Sequence, residues 1–129
     1  MKTFLHPSKI VATLLLLLTL FFSSAIFGQA TKTWVPTTGG AWNTAGNWSP
    51  SGAPAAGDHV IINSDQSGDI TAHPAISLGS LTVSGNCTLE SNAPILQTRL
   101  ITVTGTFSIA AGKTLNLGIA GTGRTDFTL

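Results

Sequence analysis

Among 129 residues there are one cysteine, one methionine and no tyrosine, and only 9% of the side chains are charged. A lone Cys87 excludes an internal disulfide framework, and no cysteine lies at Gly28-Gln29-Ala30, which excludes lipid attachment at that stretch. The scarcity of charge excludes a basic surface. From residue 31 onward Lys32, Arg99, Lys113 and Arg124 face Asp58, Asp65, Asp69, Glu90 and Asp126, a net of −1, so nothing draws nucleic acid or an anionic bilayer electrostatically. No serine sits in a Gly-x-Ser-x-Gly turn, and the glycines from Gly118 to Gly123 lack the Gly-Lys-Ser/Thr ending of a phosphate loop.

What is present begins with a delivery signal. Lys2, His6 and Lys9 make a basic start, Ile10 to Phe22 is an apolar run, and Gly28-Gln29-Ala30 offers the small residues at which a signal peptidase cuts. Ser23-Ser24 ends the run short of the twenty or so apolar residues of a membrane-spanning helix. Residues 1–30 are therefore expected to be a Sec-type signal peptide cleaved near Ala30. The remainder is expected to be one small exported domain that does not span the membrane.

The body of the chain is organised around Leu81 to Ala111, where the phrase LTVSGNCTLESN is followed by ITVTGTFSIAAG at an offset of twenty residues. Lining them up pairs Leu81 with Ile101, Val83 with Val103, Cys87 with Phe107 and Leu89 with Ile109, and places Gly85 over Gly105. Phe127-Thr128-Leu129 begins a third copy. Apolar and hydroxylated residues alternate with a period of two, the signature of strands with one buried face. A fixed repeat near twenty residues marks a solenoid, whose coils bury their apolar faces by stacking. At about 3.3 Å per residue such a coil has a contour of roughly 66 Å, or three sides near 20 Å. The expected fold is an all-β, right-handed parallel β-solenoid of about three coils over residues 60–129, the last incomplete. Its inward columns are Leu81/Ile101, Val83/Val103, Cys87/Phe107 and Leu89/Ile109, and its outward hydroxyl ranks are Thr82/Thr102 and Thr88/Ser108/Thr128. An antiparallel β-sandwich with a hairpin at Ser84-Gly85-Asn86 is the alternative. The two part at Val83 and Val103, which the stacked arrangement puts side by side in one sheet.

Residues 31–59 differ in composition, holding Trp34, Trp42 and Trp48 among glycine and proline turns. Tryptophans there would cover the apolar end of the first coil and its strand edges. The same three side chains, if exposed, would stack on sugar rings, so Trp34, Trp42 and Trp48 are also the candidate carbohydrate-binding residues. Trp34, Trp42, Asn47-Trp48-Ser49, Gly52, Pro54, Gly57-Asp58, Val60 and Ile62, followed by the two glycine-centred phrases, resemble the β-solenoid modules at the amino end of large adhesin-like proteins secreted by Gram-negative bacteria, many exported by the type IX route. A looser similarity is to the glycine-rich G8 domain of extracellular proteins. The resemblance implies a scaffold or adhesive segment of a cell-surface protein. Such proteins run on into a sorting domain, whereas this chain stops within a coil, so a truncated frame or a partner over the last coil is expected.

Residues that could carry chemistry are sparse. Asp58 and His59 adjoin on a strand and point to opposite faces. His73 precedes Pro74 at an expected corner without further ligands to complete a zinc site. Asp65 and Asp69 flank a polar turn that could offer oxygens to calcium, but the Gly-Asp nonapeptide of calcium-binding repeats is absent. Cys87 takes an inward position as a small hydrophobe. The expectation is a secreted, non-enzymatic module with no catalytic residues, metal or cofactor. Its expected partner is an extracellular polysaccharide or another surface protein. A carbohydrate-binding module, or the non-catalytic part of a polysaccharide-active enzyme, is the alternative.

Overall fold

The computed structural model describes residues 28–91, 98–118 and 124–129. The expected signal peptide lies almost wholly outside the described residues, and none of the described helices is long and apolar enough to cross a membrane. Among the described residues there are twelve strands: β1 (Thr31–Trp34), β2 (Gly40–Ala41), β3 (Trp48–Ser49), β4 (His59–Ile62), β5 (Ile70–Thr71), β6 (Ile76–Leu78), β7 (Ser80–Val83), β8 (Cys87–Glu90), β9 (Thr98–Val103), β10 (Phe107–Ile109), β11 (Leu115–Gly118) and β12 (Arg124–Thr128). A single 3-10 turn at Ala45–Asn47 precedes β3.

From β4 onward every third strand returns to the same sheet. Sheet A runs β10-β7-β4-β1-β3, sheet B runs β11-β8-β5-β2, and sheet C runs β12-β9-β6. All neighbours pair in parallel except β1 and β3. Three sheets visited in turn by one chain make a parallel β-solenoid of about three laps, and the sandwich is excluded. Ser84-Gly85-Asn86 is a corner between sheets A and B.

The lap, however, is not twenty residues. Leu81 pairs with Phe107 and Val83 with Ile109 on sheet A, Cys87 with Leu115 and Leu89 with Leu117 on sheet B, and Ile101 with Ile76 and Phe127 on sheet C. Neighbouring strands thus lie 19 residues apart at Ile70 and Leu89 and 28 apart at Cys87 and Leu115. The columns Leu81/Ile101, Val83/Val103, Cys87/Phe107 and Leu89/Ile109 do not exist as strand neighbours, because each spans two sheets. Val83 and Val103 are not side by side as expected, and it is the parallel pairing of successive laps, not that pair, that excludes the sandwich. What recurs every twenty residues is a corner. Gly85 turns the chain from sheet A to sheet B and Gly105 turns it from sheet C to sheet A, and both corners need the same strand, glycine and strand. The hydroxyl ranks change accordingly: Thr82 stands beside Ser108, Thr102 between Ser77 and Thr128, and Thr88 beside Asn116.

The inward positions are nevertheless the expected ones. Leu81, Val83, Cys87, Leu89, Ile101 and Val103 are buried, together with Val60, Ile62, Ile70 and Leu78. Phe107 is half-buried and Ile109 is 40% exposed. Both belong to the last row, which no further lap covers among the described residues. Phe107 and Phe127, one lap apart in the expected alignment, meet across the core with ring centroids 4.9 Å apart.

Glycine fixes how closely laps approach. A Cβ on Gly79 would strike the carbonyl of Gly57, one on Gly105 the carbonyl of Gly79, and one on Gly85 the carbonyl of Ser64. The stack Gly57, Gly79, Gly105 marks one corner of successive laps. At the corner of Gly85, Asp65 accepts from the Asn86 amide at 2.7 Å and from Lys113 at 2.9 Å, while Asn86 Oδ1 accepts from the Thr114 amide at 2.9 Å. Three laps are tied there by side chains as well as by ladders.

Gly85→Ala is expected to destabilise the protein by about 1–3 kcal/mol or more, since backbone rather than a movable side chain blocks the new methyl. Gly46→Ala, where nothing lies within 4 Å, is expected to change little, and urea denaturation of the two variants makes the comparison. Val103→Asp places an unpaired carboxylate at a position 2% exposed. A cost of about 3–5 kcal/mol is a large part of a total of roughly 5–15 kcal/mol and should lower the melting temperature sharply, as circular dichroism would show.

Candidate functional site

The tryptophan-rich segment is part of the solenoid rather than an appendage. β1 and β2 extend sheets A and B, and β3 folds back antiparallel against β1. Trp34 and Trp48 meet edge to face at 4.9 Å and Trp42 and Trp48 at 4.8 Å, a favoured aromatic geometry. The Trp34 indole donates to Gln66 Oε1 at 3.0 Å and the Trp48 indole to the Trp42 carbonyl at 2.6 Å. The three side chains are 1%, 0% and 2% exposed. Trp34, Trp42 and Trp48 therefore close the end of the core and are buried rather than exposed as the stacking platform expected for a sugar.

Beside this closed end lies a cavity of about 300 Å³. Its apolar walls are Ala53, Pro54, Ala72 and Pro74; its polar groups come from Asn43, His73 and Arg99, with Trp42 also lining it. These residues come from four separate stretches: the segment after β2, the loop between β3 and β4, the corner between β5 and β6, and the first half of β9. The corner is tight. The Trp42 amide donates to the Thr71 carbonyl at 2.7 Å, and Pro74 biases His73 toward extended backbone, so the turn is concentrated in Ala72. Its φ of 56° makes it a non-glycine residue in the left-handed region, at a cost of about 1–3 kcal/mol.

His73 is 2% exposed. Its Nδ1 lies 3.1 Å from the Pro74 carbonyl, which only accepts, so Nδ1 carries the proton. Burial pushes its pKa below the usual 6.5; the Pro74 bond opposes this and the positive charge of Arg99 adds to it. The Trp42 and His73 rings are 6.4 Å apart. The Trp42 indole nitrogen is buried with no hydrogen-bond partner among the described residues.

The remaining candidates resolve individually. Asp58 accepts from the amides of Ala30 at 2.9 Å and Ala55 at 2.8 Å, capping its turn and tying down the start of β1. His59 Nδ1 is 2.8 Å from Ser80 Oγ on the next lap. Asp65, held below the usual carboxylate range by the Asn86 amide and by Lys113, is committed to the corner. Among the described residues no three of His, Cys, Asp or Glu gather as metal ligands would. Burial pushes the Cys87 thiol up to about 11, so it is a thiol rather than a nucleophilic thiolate at neutral pH. Arg99 was missed in the sequence. The available signal was its alternation with Ile101 and Val103, which puts a cation on an inward-facing set.

The buried His73 carries a pH dependence. Its folded-state pKa is depressed, so its contribution to stability is fully present above pH 6.5 and is lost as pH falls from there through the folded value. Melting temperature is expected to decline across that window in the parent protein and to decline less steeply in His73→Gln, as paired thermal scans would show.

Residues 65–128 match a family described as repeats of unknown function (DUF5649). No curated protein and no solved structure matches the chain. The matched stretch builds β5 through β12, so over these laps the chain is similar to a family of repeats and folds as a repeat β-solenoid module.

Proposed function

We propose that this chain is a secreted, non-enzymatic β-solenoid module serving as a scaffold or adhesive segment of a cell-surface protein. The observation that carries the proposal is the difference between the two ends of the stack. One end is closed by three buried tryptophans and by the antiparallel β3. At the other, β10, β11 and β12 are the outermost strands of all three sheets. The columns Val60-Leu81-Phe107, Ile62-Val83-Ile109 and Ile70-Leu89-Leu117 end there on side chains that are only partly covered, Ile109 at 40% and Leu117 at 39% exposure. Open strand edges invite pairing, and this row has the form that each earlier lap presents to the lap above it. A row of this form, uncovered among the described residues, would accept an added lap as a stalk segment does.

The basic and apolar start of the sequence supports export, with signal-peptide cleavage near Ala30. The similarity to amino-terminal modules of adhesin-like proteins supports a place at the cell surface, reached by the type IX route or another. An extracellular polysaccharide or a neighbouring surface protein is the partner such a module would meet.

The decisive experiment adds a lap. β12 lies 26 residues after β9, with Thr128 beside Thr102, so a second copy of residues 104–129 placed directly after Leu129 continues the register. The extended protein is expected to melt at higher temperature and to show a larger urea m-value, because more surface is buried in one cooperative unit. An unchanged melting temperature with the added residues protease-sensitive would sink the stalk reading.

A further inference from the structure

The cavity beside the closed end has a composition that the stalk reading does not use. Arg99 alternates with Ile101 and Val103, which are 0% and 2% exposed, so it belongs to the inward-facing set of β9. It lies where β9 extends beyond β6: Ile101 pairs with Ile76, the first residue of β6, and β9 continues back to Thr98. A cation on an inward-facing set ordinarily brings a carboxylate with it. Among the described residues the ion pair that forms is Lys113 with Asp65, and Arg99 has none. Asp126, on the adjoining strand, is in register with Leu100 rather than Arg99, which puts it on the alternate face. Among the described residues no acidic side chain lines the cavity.

The groups around it favour an acceptor-rich ligand of single charge. Among the described lining residues Arg99 is the one permanent charge, and burial pushes the pKa of His73 below its usual value. Guanidinium binds a carboxylate through two parallel N–H···O bonds, a planar match that ammonium does not make. Asn43 is exposed and supplies an amide donor and acceptor at the edge. Pro54, Pro74 and Ala53 offer flat C–H surface. A volume of about 300 Å³ is at the small end for ligand pockets, enough for one ring rather than an extended chain. The strained Ala72, which no ladder of the solenoid requires, shapes this same wall.

We infer that the cavity formed by Asn43, Pro54, Ala72, Pro74 and Arg99 binds a single hexuronate unit, with Arg99 holding its carboxylate and the proline and alanine walls taking the apolar face of the ring. A peptide carboxyl terminus is the competing carboxylate, because β2, β3 and β6 are outermost strands at this end of the stack; a short peptide with a free carboxyl terminus that bound more tightly than glucuronate would overturn the assignment. A phosphate group, with up to two charges, would lack a second cation. This inference goes beyond the stalk reading and does not depend on it.

Titration of the exported protein at neutral pH with sodium glucuronate, glucose, acetate and inorganic phosphate, followed by calorimetry and tryptophan fluorescence, tests it. Saturable binding is expected for glucuronate and not for glucose, with acetate weaker than glucuronate. Arg99→Gln is expected to weaken glucuronate binding by roughly tenfold or more without moving the melting temperature, and Arg99→Lys by less. Asn43→Ala, at an exposed position, is expected to weaken it modestly and keeps the test open should the arginine variants fail to fold. Absence of saturable glucuronate binding, equal binding of glucose, tighter binding of phosphate, or an Arg99→Gln protein that folds and binds as the parent does would each overturn the assignment.

Discussion

The contact on which everything else depends is the approach of one corner's backbone to the corner below. At Gly85 against Ser64, at Gly79 against Gly57 and at Gly105 against Gly79, there is no room for a side chain between laps. Strand ladders require neighbouring chains about 4.8 Å apart, and a corner bulkier than glycine would hold the strands on both sides of it away from that spacing. With the corners in contact, three short ladders per lap form together, and the inward residues of each strand are pressed on those of the next. Burial of Leu81, Val83, Leu89 and Ile101 follows from that spacing. The short strands could not achieve it alone, since β5 has two residues and β6 three.

The same constraint explains how the chain could be read correctly for architecture and incorrectly for register. Alternation is a local property, and it identified Leu81, Val83, Cys87, Leu89, Ile101 and Val103 as inward-facing regardless of which strands they would join. Lap length is a sum over three sides and three corners, and corners vary. The segment from β5 to β6 is short, whereas that from β8 to β9 runs from Glu90 to Thr98. The strongest internal similarity therefore fell between two corners of a single lap, Gly85 and Gly105, rather than between equivalent corners of successive laps. The correct alignment, LTV over FSI and CTLE over LNLG, is weaker to the eye because the last row replaces aliphatic residues with Phe107 and varies its polar positions.

The tryptophans show a different limit. Their clustering announced a special end, yet composition does not say whether an indole faces water, and only the folding of β3 back under β1 puts all three inside. The cavity was less legible still. It draws on residues near 43, 54, 73 and 99, and none of these stretches has a motif of its own. His73-Pro74 was noticed for its histidine. Its importance lies instead in forcing Ala72 into a left-handed conformation. Arg99 stood in plain view within an alternating strand, where a cation in place of an aliphatic residue marks either an error of register or a place where the core gives way to a site.

The arrangement separates two tasks along one axis. Growth of the stack uses β10, β11 and β12, whose edges and partly covered side chains define what can be added. The proposed ligand capture would use the opposite end, where the closed end supplies a stable wall for the cavity. Adding a lap at one end changes no residue that lines the cavity at the other. The small number of charges fits this division. Lys113 and Asp65 fasten three laps at a corner, Asp58 and Lys32 secure the first strand through backbone groups at 2.8 to 3.2 Å, and Arg99 alone is left facing inward without an acid. With no acidic side chain among the described residues that line the cavity, Arg99 identifies it as the place to look for a ligand.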